Sequence, residues 1–228
     1  MTDVTVAVGI IRDRIAAATA KSGREPSAVR LIAVSKTHAP EAIRRVLATG
    51  QNEFAENYLQ EAVGKIQSMT AEKAIWHYIG RIQSNKTRDI ASHFDWVQTV
   101  DRSRIVERLA AGRPKDLPPL NICLQLRLSD DPDRPGAAAD QLVQLAAQVA
   151  SHERLRLRGL MCMPPLASEP GALREHFTFT RRCFEELRRA GQDIDTLSMG
   201  TTGDFELAIE CGATLVRIGT AIFGARRS

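Results

Sequence analysis

Three stretches of this sequence carry residue types that could do chemistry together. Lys36 directly follows the apolar run Leu31-Ile32-Ala33-Val34-Ser35. A lysine at the end of a buried strand is partly desolvated, and neighbouring cations lower its pKa further, leaving more free amine. A free amine in an enclosed site condenses with an aldehyde to a Schiff base. From position alone, the plainer reading is a lysine that snorkels to solvent. Two glycine-bearing turns shift that balance. Gly200-Thr201-Thr202-Gly203 is a small, hydroxyl-bearing turn opening a helix, and its N–H groups make an anion site. Arg217-Ile218-Gly219-Thr220 offers a second close backbone approach and another hydroxyl. Each alone reads equally as an ordinary cap or tight turn.

A lysine opposite a phosphate cradle describes pyridoxal 5′-phosphate (PLP), a cofactor that also needs a partner for its ring nitrogen. Arg217, just before the second turn, is the candidate. An arginine cannot accept a proton, so it would leave that nitrogen unprotonated and the ring a poorer electron sink; the plainer reading is an ion pair. Asn57 could hydrogen-bond the ring, or cap the helix that follows it. Gln83-Ser84-Asn85-Lys86 could line the same mouth or merely cap. His77, between Trp76 and Tyr78, reads as packed and hydrogen-bonded, and Trp76 and Trp96 as packing residues. Of the six lysines, five read as solvated and Lys36 alone ends an apolar strand.

These residues need a frame. Val4, Val8, Ile11, Ile15 and Ala18 repeat at helical spacing behind Asp3, a possible cap, so the chain opens with a helix. Strands and helices then alternate. The strands are expected at 31–35, 53–55, 76–79, 95–100, 120–128, 155–163, 194–198 and 214–218. The helices are expected at 39–49, 58–68, 84–92, 102–111, 137–151, 171–190 and 203–211. Apolar strands with helical crossovers mean a parallel sheet covered on both faces. Eight such units suggest an α/β fold of the (β/α)8 TIM-barrel type, one domain over residues 1–228, with chemistry where strands end. A doubly wound open sheet is the rival.

Composition bounds the function. The chain has 228 residues, 43% hydrophobic and 25% charged, with a formal net charge of +4. These are ordinary for a globular protein. No apolar run approaches the ~20 residues of a membrane span. The basic excess forms no stripe with interleaved aromatics, so nucleic acid is not an expected partner. No secretion signal is read at the N-terminus, which points to the cytoplasm. Cys123, Cys162, Cys183 and Cys211 form no CxxC pair and read as buried free thiols, with no metal site expected.

Several stretches together resemble a known family, the pyridoxal phosphate homeostasis proteins, single-domain relatives of the alanine racemase N-terminal barrel. They are Ala33-Val34-Ser35-Lys36-Thr37, Phe54-Ala55-Glu56-Asn57-Tyr58, Trp76-His77-Tyr78-Ile79-Gly80, Leu157-Arg158-Gly159-Leu160-Met161, Leu197-Ser198-Met199-Gly200 and Val216 to Arg226. The resemblance implies a PLP aldimine on Lys36. It implies phosphate contacts from Thr202, Gly219 and Thr220 and from the turn that holds Ser198 and Gly200, and it places Arg217 at the pyridine nitrogen. It implies a carrier or buffer in vitamin B6 balance with no catalytic residues of its own and PLP-dependent apo-enzymes as partners; the absence of a second domain from the sequence leads to the expectation of a monomer. Ala55, Thr201-Thr202 and Arg134 depart from the family pattern, which has glycine, Met-Ser and often a second lysine there. The alternative is a racemase-like PLP enzyme, which would need a second acid/base group opposite Lys36. Tyr58 and Tyr78 are the only tyrosines, and the chain leaves no room for the racemase β-domain. A Schiff-base aldolase is a further reading.

Overall fold

The computed structural model describes residues 4–129, 135–165 and 169–224. Asp3, Arg134 and Ala225-Arg226 lie outside the described residues. Eight strands form the sheet: β1 (Arg30–Val34), β2 (Glu53–Glu56), β3 (Ile75–Tyr78), β4 (Trp96–Val100), β5 (Leu120–Leu126), β6 (Leu155–Cys162), β7 (Thr196–Ser198) and β8 (Leu215–Ile218). Each pairs in parallel with the next, and β8 pairs with β1 to close the barrel. Closure decides against the open sheet.

The helices are α1 (Val4–Lys21), α2 (Pro40–Leu47), α3 (Leu59–Ser68), α4 (Thr87–His93), α5 (Ser103–Gly112), α6 (Leu142–Ala150), α7 (Pro170–Arg189), α8 (Phe205–Glu210) and α9 (Thr220–Phe223). Two start later than their sequence pattern suggests. Ser84–Lys86 and Ala139–Gln141 are 3-10 turns leading into α4 and α6, the tighter winding common at helix ends. β7 is shorter than expected because Ile194 donates its N–H to the Gln192 carbonyl in a turn. A short helix, α9, also follows the last strand. The leading helix α1 packs on α2, α8 and α9. Arg14 and Lys21 pair with Glu206 and Glu210 on α8. Arg24 donates to the Ile209 and Ala213 carbonyls, satisfying the C-terminal end of α8.

Side chains alternate across the ring of strands. The outward set, including Phe54, Val97, Leu124 and Val216, joins the helices in one continuous apolar core. The inward set is divided. Ile32, Val34, Ala55 and Leu215 form one small cluster, and Trp96, Cys123 and Met161 another. Buried polar groups also point inward, among them His77, Gln98, Ser198 and Arg217. All four cysteines are free and buried, as expected. Burial pushes the Cys123 thiol up to about 12 and Cys162 to about 11, so neither supplies a thiolate at neutral pH. Among the described residues, no helix is long and apolar enough to cross a membrane, and no group of His, Cys, Asp and Glu could hold a metal.

Candidate cofactor-binding site

Lys36 is half-buried, two residues beyond the end of β1. Its neighbours are held from behind. The Ser35 N–H donates to the Ala55 carbonyl, and its hydroxyl donates to Glu56 Oε1 at 2.6 Å. Thr37 has φ +66°, left-handed backbone that a β-branched residue rarely adopts. Such a conformation costs roughly 1–3 kcal/mol. Its N–H donates to Glu61 Oε1 at 2.7 Å, and a hydrogen bond to a charged group contributes a similar amount.

Lys65 joins both carboxylates. Its Nζ lies 2.8 Å from Glu56 Oε1 and 2.5 Å from Glu61 Oε1, and donates to the Ser35 carbonyl at 2.9 Å. Lys65 is therefore buried, which corrects its reading as a solvated lysine. It stands four residues after Glu61 on α3, and the inward face of that helix lies over the ends of β1 and β2. Burial raises the Glu56 carboxyl above its ordinary value, more than Lys65 and Ser35 lower it.

The loops after β7 and β8 meet beside β1. A Cβ on Gly219 would stand 3.4 Å from Val34, and the His38 ring stacks on Phe223 with centroids 4.8 Å apart. Gly200 takes φ +94°, and a Cβ there would fall 2.7 Å from the Ala208 Cβ. Only glycine allows this turn. Asp204 takes the Thr201 N–H and hydroxyl. The Thr202 and Thr220 hydroxyls are 3.4 Å apart, joining the two loops. The backbone N–H groups of Thr202, Gly203, Gly219 and Thr220 find no acceptor among the described residues. Four such donors with two hydroxyls make a nest for a many-oxygened anion.

Arg217 is buried and makes no salt bridge among the described residues. Its Nη1 donates to Ser198 Oγ at 2.6 Å and its Nη2 to the Cys162 carbonyl at 2.9 Å. Burial lowers its pKa, against opposing influences from Cys162 and Asp204, and the group remains a cation. The Ser198 hydroxyl does not face the turn at Gly200. Alternation on β7 turns Ser198 into the barrel, where its hydroxyl accepts from Arg217 and donates to Gln98 Oε1 at 2.6 Å.

Asn57 does not cap α3. The cap position belongs to Tyr58, and the buried Asn57 Oδ1 has no hydrogen-bond partner among the described residues. Asn57 lines a cavity of about 560 Å³ at the strand ends with Tyr58, Gly80, Thr99 and Gln125. Gly80 lets this corner close, since a Cβ on it would fall 2.2 Å from the Asn57 carbonyl oxygen. A groove of about 640 Å³ lies along α7 at Arg174, Phe179 and Arg182, and holds none of these groups. His77 is buried and hydrogen-bonded, and Trp76 and Trp96 are buried. The structure adds Glu56, Glu61, Lys65 and Gln98 to the residues singled out in the sequence. Trp96 and Gln98 share one parity on β4, which was the available signal for the last.

The residues present fit PLP. A held lysine, a nest of donors for a phosphate, a donor-only guanidinium for a ring nitrogen and an unsatisfied Asn57 carbonyl share one end of the barrel. Comparison with known proteins agrees. The model of the alanine racemase N-terminal domain matches residues 8–227. A pyridoxal phosphate homeostasis protein of Escherichia coli K12 is 46% identical over 229 residues, covering 99% of this chain and 98% of the relative. One of Pseudomonas aeruginosa is 47% identical over 226 residues, covering 99% and 97%. The structure of PipY of Synechococcus elongatus with PLP bound superposes with a TM-score of 0.79 at 36% identity, over 94% of this chain and 100% of that one. Alanine racemase of Corynebacterium glutamicum, 15% identical with a TM-score of 0.70, shares the fold over 94% of this chain and 62% of its own. The barrel, its strand-end residues and these likenesses agree: the chain belongs to the pyridoxal phosphate homeostasis protein family, on the alanine racemase N-terminal fold.

Proposed function

We propose that this chain binds PLP and serves PLP homeostasis, holding the cofactor on Lys36 as a Schiff base. One observation carries the reading: β1, which leads into Lys36, ends against Gly219, and four backbone N–H groups on the loops after β7 and β8 find no acceptor among the described residues. When bound, PLP supplies an aldehyde that an amine can capture. The chain's own residues do the rest. Glu61, Glu56 and Lys65 hold the backbone on either side of Lys36. Thr202, Gly203, Gly219 and Thr220 receive the phosphate, with Gly200 shaping their turn. Asn57 offers its carbonyl oxygen near the ring, and Arg217 presents a donor to the ring nitrogen.

The protein on this reading is a carrier or buffer, a monomeric single domain in the cytoplasm, delivering PLP to PLP-dependent apo-enzymes without a reaction of its own. The tyrosines support the last point. Tyr58 is exposed, whereas Tyr78 is buried with its hydroxyl on the Arg81 carbonyl and its pKa raised by burial. Tyr78 is thereby unsuited to pass a proton opposite Lys36. Borohydride reduction after incubation with PLP, followed by peptide mapping, should put a pyridoxyl group on Lys36. A protein that stays colourless and unlabelled contradicts the reading.

A further inference from the structure

A line of buried polar side chains crosses the barrel beneath the proposed site. Arg217 on β8 donates to Ser198 on β7 at 2.6 Å, and Ser198 donates to Gln98 Oε1 on β4 at 2.6 Å. Gln98 Nε2 lies 3.0 Å from His77 Nδ1 on β3. His77 Nε2 faces Glu53 Oε2 on β2 at 3.1 Å, a close contact with less than full hydrogen-bond alignment. Arg30 on β1 lies 3.3 Å from the same carboxylate. Ser198, Gln98 and His77 are fully buried.

The two ends dictate the direction of every proton between them. A guanidinium only donates and an ionised carboxylate only accepts. Ser198 Oγ receives from Arg217, so its own proton goes to Gln98. The amide oxygen of Gln98 is thereby used, and its NH₂ must donate to His77 Nδ1. His77 then carries its proton on Nε2, facing Glu53. Reversing the amide would leave the Ser198 proton without an acceptor and turn a bare imidazole nitrogen towards a carboxylate. Burial lowers the His77 pKa, against the pull of Glu53. Burial alone would raise Glu53, but His77 and Arg30 outweigh it and hold the carboxyl below its ordinary value. The line therefore runs from a cation through neutral groups to an anion.

We propose that Ser198, Gln98 and His77 are positioning residues, a one-directional hydrogen-bond relay that fixes the Arg217 guanidinium as the donor to the ring nitrogen of bound PLP. The proposal rests on the PLP reading above. Among the described residues, no carboxylate pairs directly with Arg217. The relay gives it a remote one, Glu53, and the Cys162 carbonyl fixes its second nitrogen. Its plane is set before any ligand arrives.

The test uses the full-length chain with and without PLP. The visible band of PLP-loaded wild type is titrated against pH beside Gln98→Met, which keeps the bulk and breaks the relay, and Ser198→Ala. Val97→Ala on the outward face of β4 is the control for lost packing. In the two relay variants the midpoint should move by about one pH unit or more, the scale on which a neighbouring hydrogen-bonded charge acts. PLP affinity should also fall about tenfold, and Val97→Ala should leave the midpoint in place. An unmoved midpoint in folded Gln98→Met overturns the proposal. Nitrogen NMR of His77 in unloaded wild type tests the relay without any variant. A proton on Nε2 supports it, and a proton on Nδ1 overturns it. Wild type that takes up no PLP, with His77 protonated on Nε2, would remove the PLP reading and the assigned role of the relay, while leaving its direction intact.

Discussion

The two faces of the strand ring are built from different chemistry. Outside, Phe54, Val97, Leu124 and their neighbours meet the helices in one continuous apolar layer. Inside, two small apolar clusters flank a polar line ending in opposite charges. The outer face buries area at about 25 cal/mol per Å² and holds the fold. The inner face spends part of its volume on groups that need partners to be tolerated in a low dielectric. Stability belongs mainly to the outside, and the orientation of the proposed cofactor residues mainly to the inside.

The sharpest way to break this division is Phe54→Ala. Truncating a fully buried aromatic should cost about 3–5 kcal/mol in urea unfolding. The fraction that remains folded should still capture PLP. If PLP capture is lost while folding is retained, the two faces are not separable. Lys65→Met comes next. Removing one partner of a buried ion cluster should cost roughly 3 kcal/mol. Unlike Phe54→Ala, it should also slow the reaction of PLP with Lys36, because Ser35 and the Glu61 that holds Thr37 lose their anchor. Stopped-flow absorbance of the folded variant reads this directly.

The two glutamates of β2 sharpen the comparison further, through opposite signs of pH dependence. Glu53 has a lowered pKa, so the folded state binds its proton less readily than the unfolded chain. Its contribution is complete above the ordinary carboxylate value and is lost as pH falls through the lowered one. Glu56 has a raised pKa, so the folded state binds its proton more readily. Its contribution is complete below the ordinary value and is lost as pH rises through the raised one. Urea midpoints should therefore show wild type losing ground to Glu53→Gln as pH falls below the ordinary carboxylate value. Against Glu56→Gln it should lose ground as pH rises. Parallel curves for both variants would contradict the assignment. The smallest expected effect is Thr202→Ala, which removes one hydroxyl of the proposed phosphate nest. PLP affinity should fall by about tenfold, the equivalent of one charge-assisted hydrogen bond. Stability should barely change.

The barrel itself was legible because alternating apolar runs and amphipathic stretches admit few other architectures. The position of Lys36 at a strand end and the two glycine-bearing turns after β7 and β8 were legible because their local pattern is self-contained. Lys65 was not. Its helix places it among carboxylates from β2 and α3, which spacing within α3 reveals only for Glu61. The inward hydroxyl of Ser198 follows from strand alternation, but its partners Gln98 and Arg217 lie on other strands and leave no local signal. Gln98 was missed because Trp96-Val97-Gln98-Thr99-Val100 reads as an apolar strand unless the parity of its polar members is followed. His77 was read as packed and hydrogen-bonded, but its partners lie on β2 and β4, beyond the reach of local pattern.

The most direct test is a crystal structure of the chain loaded with PLP. The account predicts continuous density from Lys36 Nζ to the cofactor. The phosphate should sit against the N–H groups of Thr202, Gly203, Gly219 and Thr220. Arg217 should face the ring nitrogen with its Ser198 and Cys162 contacts unchanged. PLP bound through another residue, or a phosphate outside those two loops, would contradict it.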